Sequence, residues 1–372
     1  MDKQDVKKRV IENFKMLQDM SVQEYTLFRK WGELNSKKWT GTEQQRTFEL
    51  KSKIWIPEEP DDYLKLKPAV VWADTPDKKM TWTLLRLFCS SAHWNQNVGR
   101  LLKFYVMDKV TMSYLGVISI ASDFTSLRGR DSAIGWTKKQ KESGMLRHTA
   151  MGSTIVPTQP MGFNYVGGKL MSLLTVSSVV ENTWNKRYKD TLAGITTTSL
   201  YGGYSQYTRL KYWDRYESTT GKIPLEPSDD INDLMRGWLK EHYAAEVERK
   251  IHPPGKKSVA SHPKALILNM AHSKLGVKPP VNNAPRGVYF CDLYENTKKW
   301  LRQEDKELGK KKFDNNVMVL TNLWKEKYAS KRVRSLLKND RYNKDILFYD
   351  DLVGLTWEEA KEKYLHKVGV GK

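Results

Sequence analysis

Two polar segments concentrate the side chains able to do chemistry. The first runs from Ser122 to Asp131, SDFTSLRGRD, and regains apolar character at Ile134, Gly135 and Trp136. Arg128 and Arg130 flank Gly129, which suits a turn offering guanidinium and backbone N–H groups to a phosphate of a cofactor or of a nucleic acid. Asp131 either holds an arginine in place or takes part in the reaction. The plainer alternative is a surface turn with a local Arg–Asp pair, worth little energetically. The second segment passes through Gly202, Gly203, Tyr204, Ser205, Gln206, Tyr207, Thr208 and Arg209 to Lys211, Trp213, Thr220 and Gly221. Ser205, Tyr207 and Arg209 join Asp131 as catalytic candidates, able to position a base or relay a proton. If 207–213 is extended, Tyr207, Arg209 and Lys211 share one face, and Thr208, Leu210 and Tyr212 the other. A Tyr-rich edge strand without chemistry is the alternative.

Both segments follow strand-like runs that must position them. Residues 99–107 and 114–121 read as two strands of an antiparallel hairpin, with Asp108 and Lys109 in the turn. Residues 153–157, the β-branched run 192–199 and 287–293 are further strands. Helical spacing marks 1–35, 76–92, 137–151, 167–180, 231–249 and 296–308. The prolines at 57, 60 and 68 punctuate a connection. The fold class is α/β, a mixed α+β arrangement in which a central mixed sheet is flanked by helices. The expected division is an N-terminal helical extension over 1–75, a core over 76–308 and a basic helical arm over 309–372. Thr356, with Glu359 three residues on, is a capping-box pattern within that arm.

The formal net charge of +20 points to a polyanionic partner, nucleic acid above all. The best phosphate-contact candidates are Lys310, Lys311, Lys312, Lys325, Lys331, Arg332, Arg334 and Lys338, because a helix this basic binds phosphates without reading sequence. A solvated arm is the bland alternative, and Lys256 and Lys257 mark a weaker basic loop. Cys89 and Cys291 lie in apolar contexts, as buried free thiols of a reducing compartment do. The N-terminus lacks an apolar signal core and no run approaches a membrane span, so a cytoplasmic protein without a membrane partner is expected. The histidines lack metal-ligand spacing, and no metal site is expected. Asp123, Asp131 and Asp214 would form a metal-dependent nuclease site only if the fold brings them together.

In segment order the chain resembles the DruA-like (DUF4338) family of the Druantia anti-phage defence system and of phage genomes. The resemblance is carried by Leu115, Gly116 and Val117; by Arg130, Asp131, Ile134, Gly135 and Trp136; by Tyr204 to Trp213 with Thr220 and Gly221; and by Arg286 to Leu293. Thr208, Arg209, Leu210 and Lys211 depart from the family's alanine-containing pattern. The second segment is also similar to Mom-type DNA modification proteins, which resemble GNAT acyltransferases. The resemblance implies a GNAT-like core, DNA rather than RNA as partner, a protein partner in a phage or defence complex, and base modification as a possible activity. Acyl-CoA is the cofactor such a core would take, but its usual loop, [RQ]-x-x-G-x-[GA], is absent: Arg128 to Ala133 reads R-G-R-D-S-A. The alternatives are a nucleic-acid binder without catalysis and an interaction protein whose charge complements an acidic partner.

Overall fold

Strand formation follows the apolar runs. The computed structural model describes residues 1–35, 41–89, 99–199, 205–219, 223–254, 263–282, 285–344 and 352–368. Its strands are β1 (Pro68–Trp72), β2 (Leu101–Asp108), β3 (Tyr114–Ser122), β4 (Thr149–Pro157), β5 (Gly194–Thr198), β6 (Asp214–Ser218), β7 (Ile223–Pro224), β8 (Val281–Asn282) and β9 (Gly287–Asp292). Seven of them form one sheet in the order β1-β2-β3-β4-β5-β9-β6. The expected hairpin is β2–β3, paired antiparallel. β3 is buried along nearly its whole length, as a strand covered on both faces must be.

One pair departs from the antiparallel pattern. β4 and β5 run parallel, but share only Thr149–Gly194, Ala150–Ile195 and Met151–Thr196. Beyond Met151 the two strands no longer pair. There the β4 carbonyls are taken by side chains: Gly152 O accepts from Thr197 Oγ1 at 3.0 Å, and Ile155 O from Gln206 Nε2 at 2.8 Å. A buried backbone acceptor left unpaired would cost free energy, so these side chains do the work of a missing strand.

By its contacts the chain divides into two units, residues 1–36 with 221–284, and residues 37–220 with 285–372. The larger unit holds the seven-stranded sheet. Its core joins Phe104, Ile118, Leu170, Trp184, Ile195, Tyr289 and Trp324, and each large apolar side chain fully buried there contributes about 1.5–3 kcal/mol. Helices Gly167–Thr175 and Ser178–Tyr188 replace the single helix expected over 167–180; the break falls at Ser177, the N-cap position of the second. The helix expected over 137–151 is two short pieces, because β4 already begins at Thr149. That expected over 296–308 spans only Thr297–Leu301. β1 occupies what the prolines suggested was a connection; Pro68 stands at its first residue on a sheet edge, where its missing N–H costs no ladder bond. The basic arm is a helix from Val317 to Lys338 interrupted by one π-helical turn, Lys325–Ala329. The predicted capping box forms: Glu359 Oε2 accepts from Thr356 N at 2.8 Å, and Glu359 N donates to Thr356 Oγ1 at 3.4 Å. Among the described residues no helix is long and apolar enough to cross a membrane.

The smaller unit pairs helices Lys3–Asp19 and Val22–Leu34 with Asp229–Ile251 and Pro263–Leu275. Val6, Val10, Phe14 and Leu17 are the buried stripe of the first, at the spacing read from the sequence. His272 packs against the Phe14 ring at 5.6 Å between centroids, and neither ring nitrogen has a hydrogen-bond partner. Burial holds its imidazolium below the ordinary value. On acidification the unfolded chain therefore takes up this proton first. The His272 contribution is complete above pH about 6.5 and falls away as the pH drops below it. We expect an acid-sensitive unfolding midpoint in that window, followed by Trp31 and Trp238 fluorescence, and expect His272→Leu to flatten it.

Candidate nucleic-acid interface

Arg128 to Ile134 form a seven-residue helix directly after the turn that leaves β3. Gly135 stops it with φ of 78°, a left-handed cap that glycine adopts without penalty. Ile134 and Trp136 on either side are buried with Phe290 and Leu301, and Trp136 Nε1 donates to Leu301 O at 2.8 Å. The apolar triplet is therefore a helix stop and an anchor. Gly129 faces the sheet: a Cβ there would lie 3.1 Å from Glu217 O and 3.3 Å from a Val288 methyl.

Of the two arginines expected to face a phosphate, only Arg128 reaches the surface. Arg130 is fully buried, so its guanidinium is not offered to solvent. It lies 2.7 Å from Asp123 Oδ1, and its Nη2 donates to Asp131 Oδ1 at 2.6 Å. Asp123 Oδ2 accepts from Thr196 Oγ1 of β5 at 2.7 Å, and Asp131 Oδ2 from Lys141 Nζ at 2.5 Å. Four charged groups thus clamp the short helix to the sheet. Arg128 alone of the pair is exposed, 3.5 Å from Glu217.

The second segment is a turn, not a strand. Arg209 and Tyr212 have φ of 56° and 74°, values no extended chain contains. Tyr207, Leu210 and Trp213 point inward at a spacing of three, so the expected alternation, with Leu210 opposite Tyr207, does not hold. The Tyr207 hydroxyl accepts from Thr197 Oγ1 at 3.3 Å, and burial pushes the phenol up, so it stays protonated. Ser205 Oγ donates to the Tyr289 hydroxyl at 3.1 Å. Asp131 lies in the Arg130 clamp, bonded to Leu127 N, Arg130 and Lys141 rather than to Ser205, Tyr207 or Arg209. Gly202, Gly203, Tyr204, Thr220 and Gly221 lie outside the described residues, as do Lys256 and Lys257.

What the turn presents outward is Arg209 and Lys211, both exposed. It meets the helix Val317–Lys338 at Tyr328. Lys211 N donates to the Tyr328 hydroxyl at 2.9 Å, and that hydroxyl donates to Arg209 O at 3.4 Å. Lys327 and Lys169 both place their ammonium over the Tyr328 ring, at 5.9 and 5.2 Å. Lys169 is half-buried, donates to Gln206 O at 3.0 Å and Thr208 O at 2.6 Å, and is pushed down to about 8 by burial. Sequence reasoning passed over it, although a lysine at the third position of a helix, against the dipole, was a visible oddity.

From Tyr328 a cationic stripe runs on. Lys327, Lys331, Arg334 and Lys338 recur at spacings of four, three and four, all exposed, while Val333 and Leu336 are buried on the other face. Among the described residues none of the four forms an ion pair. Lys331, Arg334, Ser335, Lys338 and Asn339 line a shallow concavity of about 470 Å³. Four of the other basic candidates are engaged by groups of the protein itself. Lys325 donates to Leu64 O and Leu66 O, each at 2.7 Å. Arg332 Nε donates to Phe163 O at 3.1 Å. Lys311 pairs with Glu181, and Lys312 with Asp292 at 3.2 Å. Lys310 remains exposed.

An acyl-CoA pyrophosphate needs free amides at a turn from strand to helix. The turn after β4 reads Gln159, Pro160, Met161, Gly162, Phe163, Asn164. Three of its amides are already used: Gly162 N by Thr158 O, Phe163 N by Gln159 Oε1 and Asn164 N by Pro160 O, at 2.9, 3.0 and 3.1 Å. Asn164 is further pinned by Nδ2 donating to Asn343 O at 2.7 Å. These residues do not fit the group. The three carboxylates of the nuclease alternative are not assembled either: Asp123 and Asp131 serve Arg130, while Asp214 lies 3.8 Å from Lys312. Among the described residues no group of three or more His, Cys, Asp or Glu is placed to hold a metal.

No curated protein and no solved structure matches the chain. A family model described as Druantia protein DruA matches residues 21–303, a span that contains the Arg130 clamp, the 205–213 turn and β9. That match sets the chain in the context of phage defence. The chain belongs to the DruA family.

Proposed function

We propose that this protein binds DNA through the helix Val317–Lys338, as a component of a phage-defence system working in the host cytoplasm. The observation that carries the proposal is the unpaired stripe of Lys327, Lys331, Arg334 and Lys338, joined at Tyr328 to Arg209 and Lys211. Four exposed cations on one helix face, in no ion pair among the described residues, form a local positive field that attracts a polyanion. Tyr328 is largely buried, so the stripe offers point charges rather than stacking faces, which favours backbone contact. The core that carries the helix is, in this proposal, GNAT-like. Its support is the single parallel pair β4–β5 in an otherwise antiparallel sheet, separating after Met151.

The non-catalytic form of the proposal is favoured over base modification of the Mom type. Tyr207 is buried and protonated, and three of the amides after β4 are already bonded within the turn. A protein partner in the same defence complex accords with the family. The test is fluorescence anisotropy of the full chain with a random-sequence duplex at increasing salt. Four phosphate contacts predict a log–log slope of about −3.6 and about a hundredfold loss between 50 and 200 mM salt. Absence of binding at the low end sinks the proposal.

A further inference from the structure

Lys169, the third residue of the helix Gly167–Thr175, is half-buried against the 205–213 turn. Its Nζ donates to Gln206 O at 3.0 Å and to Thr208 O at 2.6 Å, and lies 5.2 Å from the centre of the Tyr328 ring. No carboxylate pairs with it among the described residues. A cation so placed, partly desolvated and at the positive end of a helix, is unfavourable by itself. Carbonyl dipoles and a ring face are what offset it. An apolar side chain would fill the place without that desolvation, so packing alone does not account for a lysine. The turn sits close on this helix: a Cβ at Gly168 would lie 3.0 Å from Gln206 Cβ.

The turn itself is strained. Arg209 and Tyr212 hold left-handed backbone, with φ of 56° and 74°, which is unfavourable for any residue with a Cβ. Such a shape persists only where its surroundings fix it. Two donors do so. Lys169 takes the carbonyls of Gln206 and Thr208, and the Tyr328 hydroxyl takes that of Arg209 while accepting from Lys211 N. With these carbonyls drawn inward, the side chains of Arg209 and Lys211 are left outside, where both are exposed. Tyr212 stacks on Phe313 at 3.8 Å between centroids and fixes the far end of the turn. We infer that Lys169 is a positioning residue of the nucleic-acid interface: it latches the turn to the helix Val317–Lys338, so that Arg209 and Lys211 extend the cationic stripe. The role in binding rests on the proposal that this helix binds DNA; the latch itself is measured without it.

Hydrogen exchange at the Lys211 amide, in the full chain without DNA, reads the latch. Lys169→Met keeps the bulk and removes the charge. It should speed that exchange about tenfold, through loss of the bonds to Gln206 O and Thr208 O, and hasten trypsin cleavage after Arg209 and Lys211. Its affinity for a random-sequence duplex should fall about tenfold at 0.1 M salt, the worth of one phosphate contact. In a chain with Arg209 and Lys211 changed to alanine, the same substitution should lower affinity no further, because the residues it positions are gone. Lys169→Cys alkylated with 2-bromoethylamine regains an ammonium at the same reach and should recover both protection and affinity. Alkylation with iodoacetamide, which adds no charge, should recover less of each. Cys89 and Cys291 are buried and so are spared. Unchanged exchange at Lys211 in Lys169→Met overturns the latch, whatever the DNA result. An equal loss of affinity with and without Arg209 and Lys211 overturns the positioning role. If the parent chain binds no DNA while Lys169→Met still frees the turn, the DNA reading falls and the latch stands.

Discussion

Arg130→Ala is expected to cost the larger unit about 3–5 kcal/mol of stability, because it leaves the Asp123 carboxylate buried without its cation. The Asp123 and Arg130 side chains are both wholly inaccessible, so water cannot replace the guanidinium cheaply. Asp131 suffers less, since Lys141 remains at 2.5 Å. The measurement is the urea midpoint at unchanged slope. The origin of the loss is checked by the pair Arg130→Met with Asp123→Asn, which removes both charges and should regain most of it. A loss below about 1 kcal/mol, typical of an exposed ion pair, would show that the clamp is hydrated. The same variant, under conditions where it is folded, should bind DNA as the parent does, because Arg130 has no exposed surface to offer a phosphate.

Changing Lys327, Lys331, Arg334 and Lys338 together to alanine should abolish most DNA affinity. Each lost phosphate contact lowers the salt slope by about 0.9, and four lower affinity about 10³-fold at 0.1 M salt. Stability should barely move, because all four are exposed and unpaired. The control removes equal charge elsewhere: Lys3, Lys8, Arg9 and Lys15 to alanine, on the first helix. If that set weakens binding as much as the stripe set, net charge rather than placement drives association, and the interface is misassigned.

The sheet was largely legible in the sequence. The runs at 114–121 and 287–293 are long, apolar and bounded by polar turns, so their periodicity and burial agree. β1 and β6 were harder to see. The first is short and opens on proline, and the second reads Asp-Arg-Tyr-Glu-Ser, with the composition of a protected edge. Residues 207–213 read as a strand because their β-prone tyrosines conceal two left-handed residues that are not glycine. The location of the candidate site was only half visible. Basic residues could be counted, but Lys325 and Lys331 look alike in sequence, and only the packing shows that one donates to carbonyls while the other faces water.

The π-helical turn at Lys325–Ala329 sets the angular phase of the basic arm. Before it the inward positions advance as Leu320 and Trp324; after it they advance as Ala329, Val333 and Leu336. A regular helix would carry the first series to Tyr328, and the wide turn adds one residue, about 100° of rotation. Tyr328 and Ala329 can therefore both face inward, and the lysines beyond them are dialled outward. Charge on this arm is thus a matter of rotation as much as of composition: with one residue fewer, lysines that now face away from the core would be turned toward it.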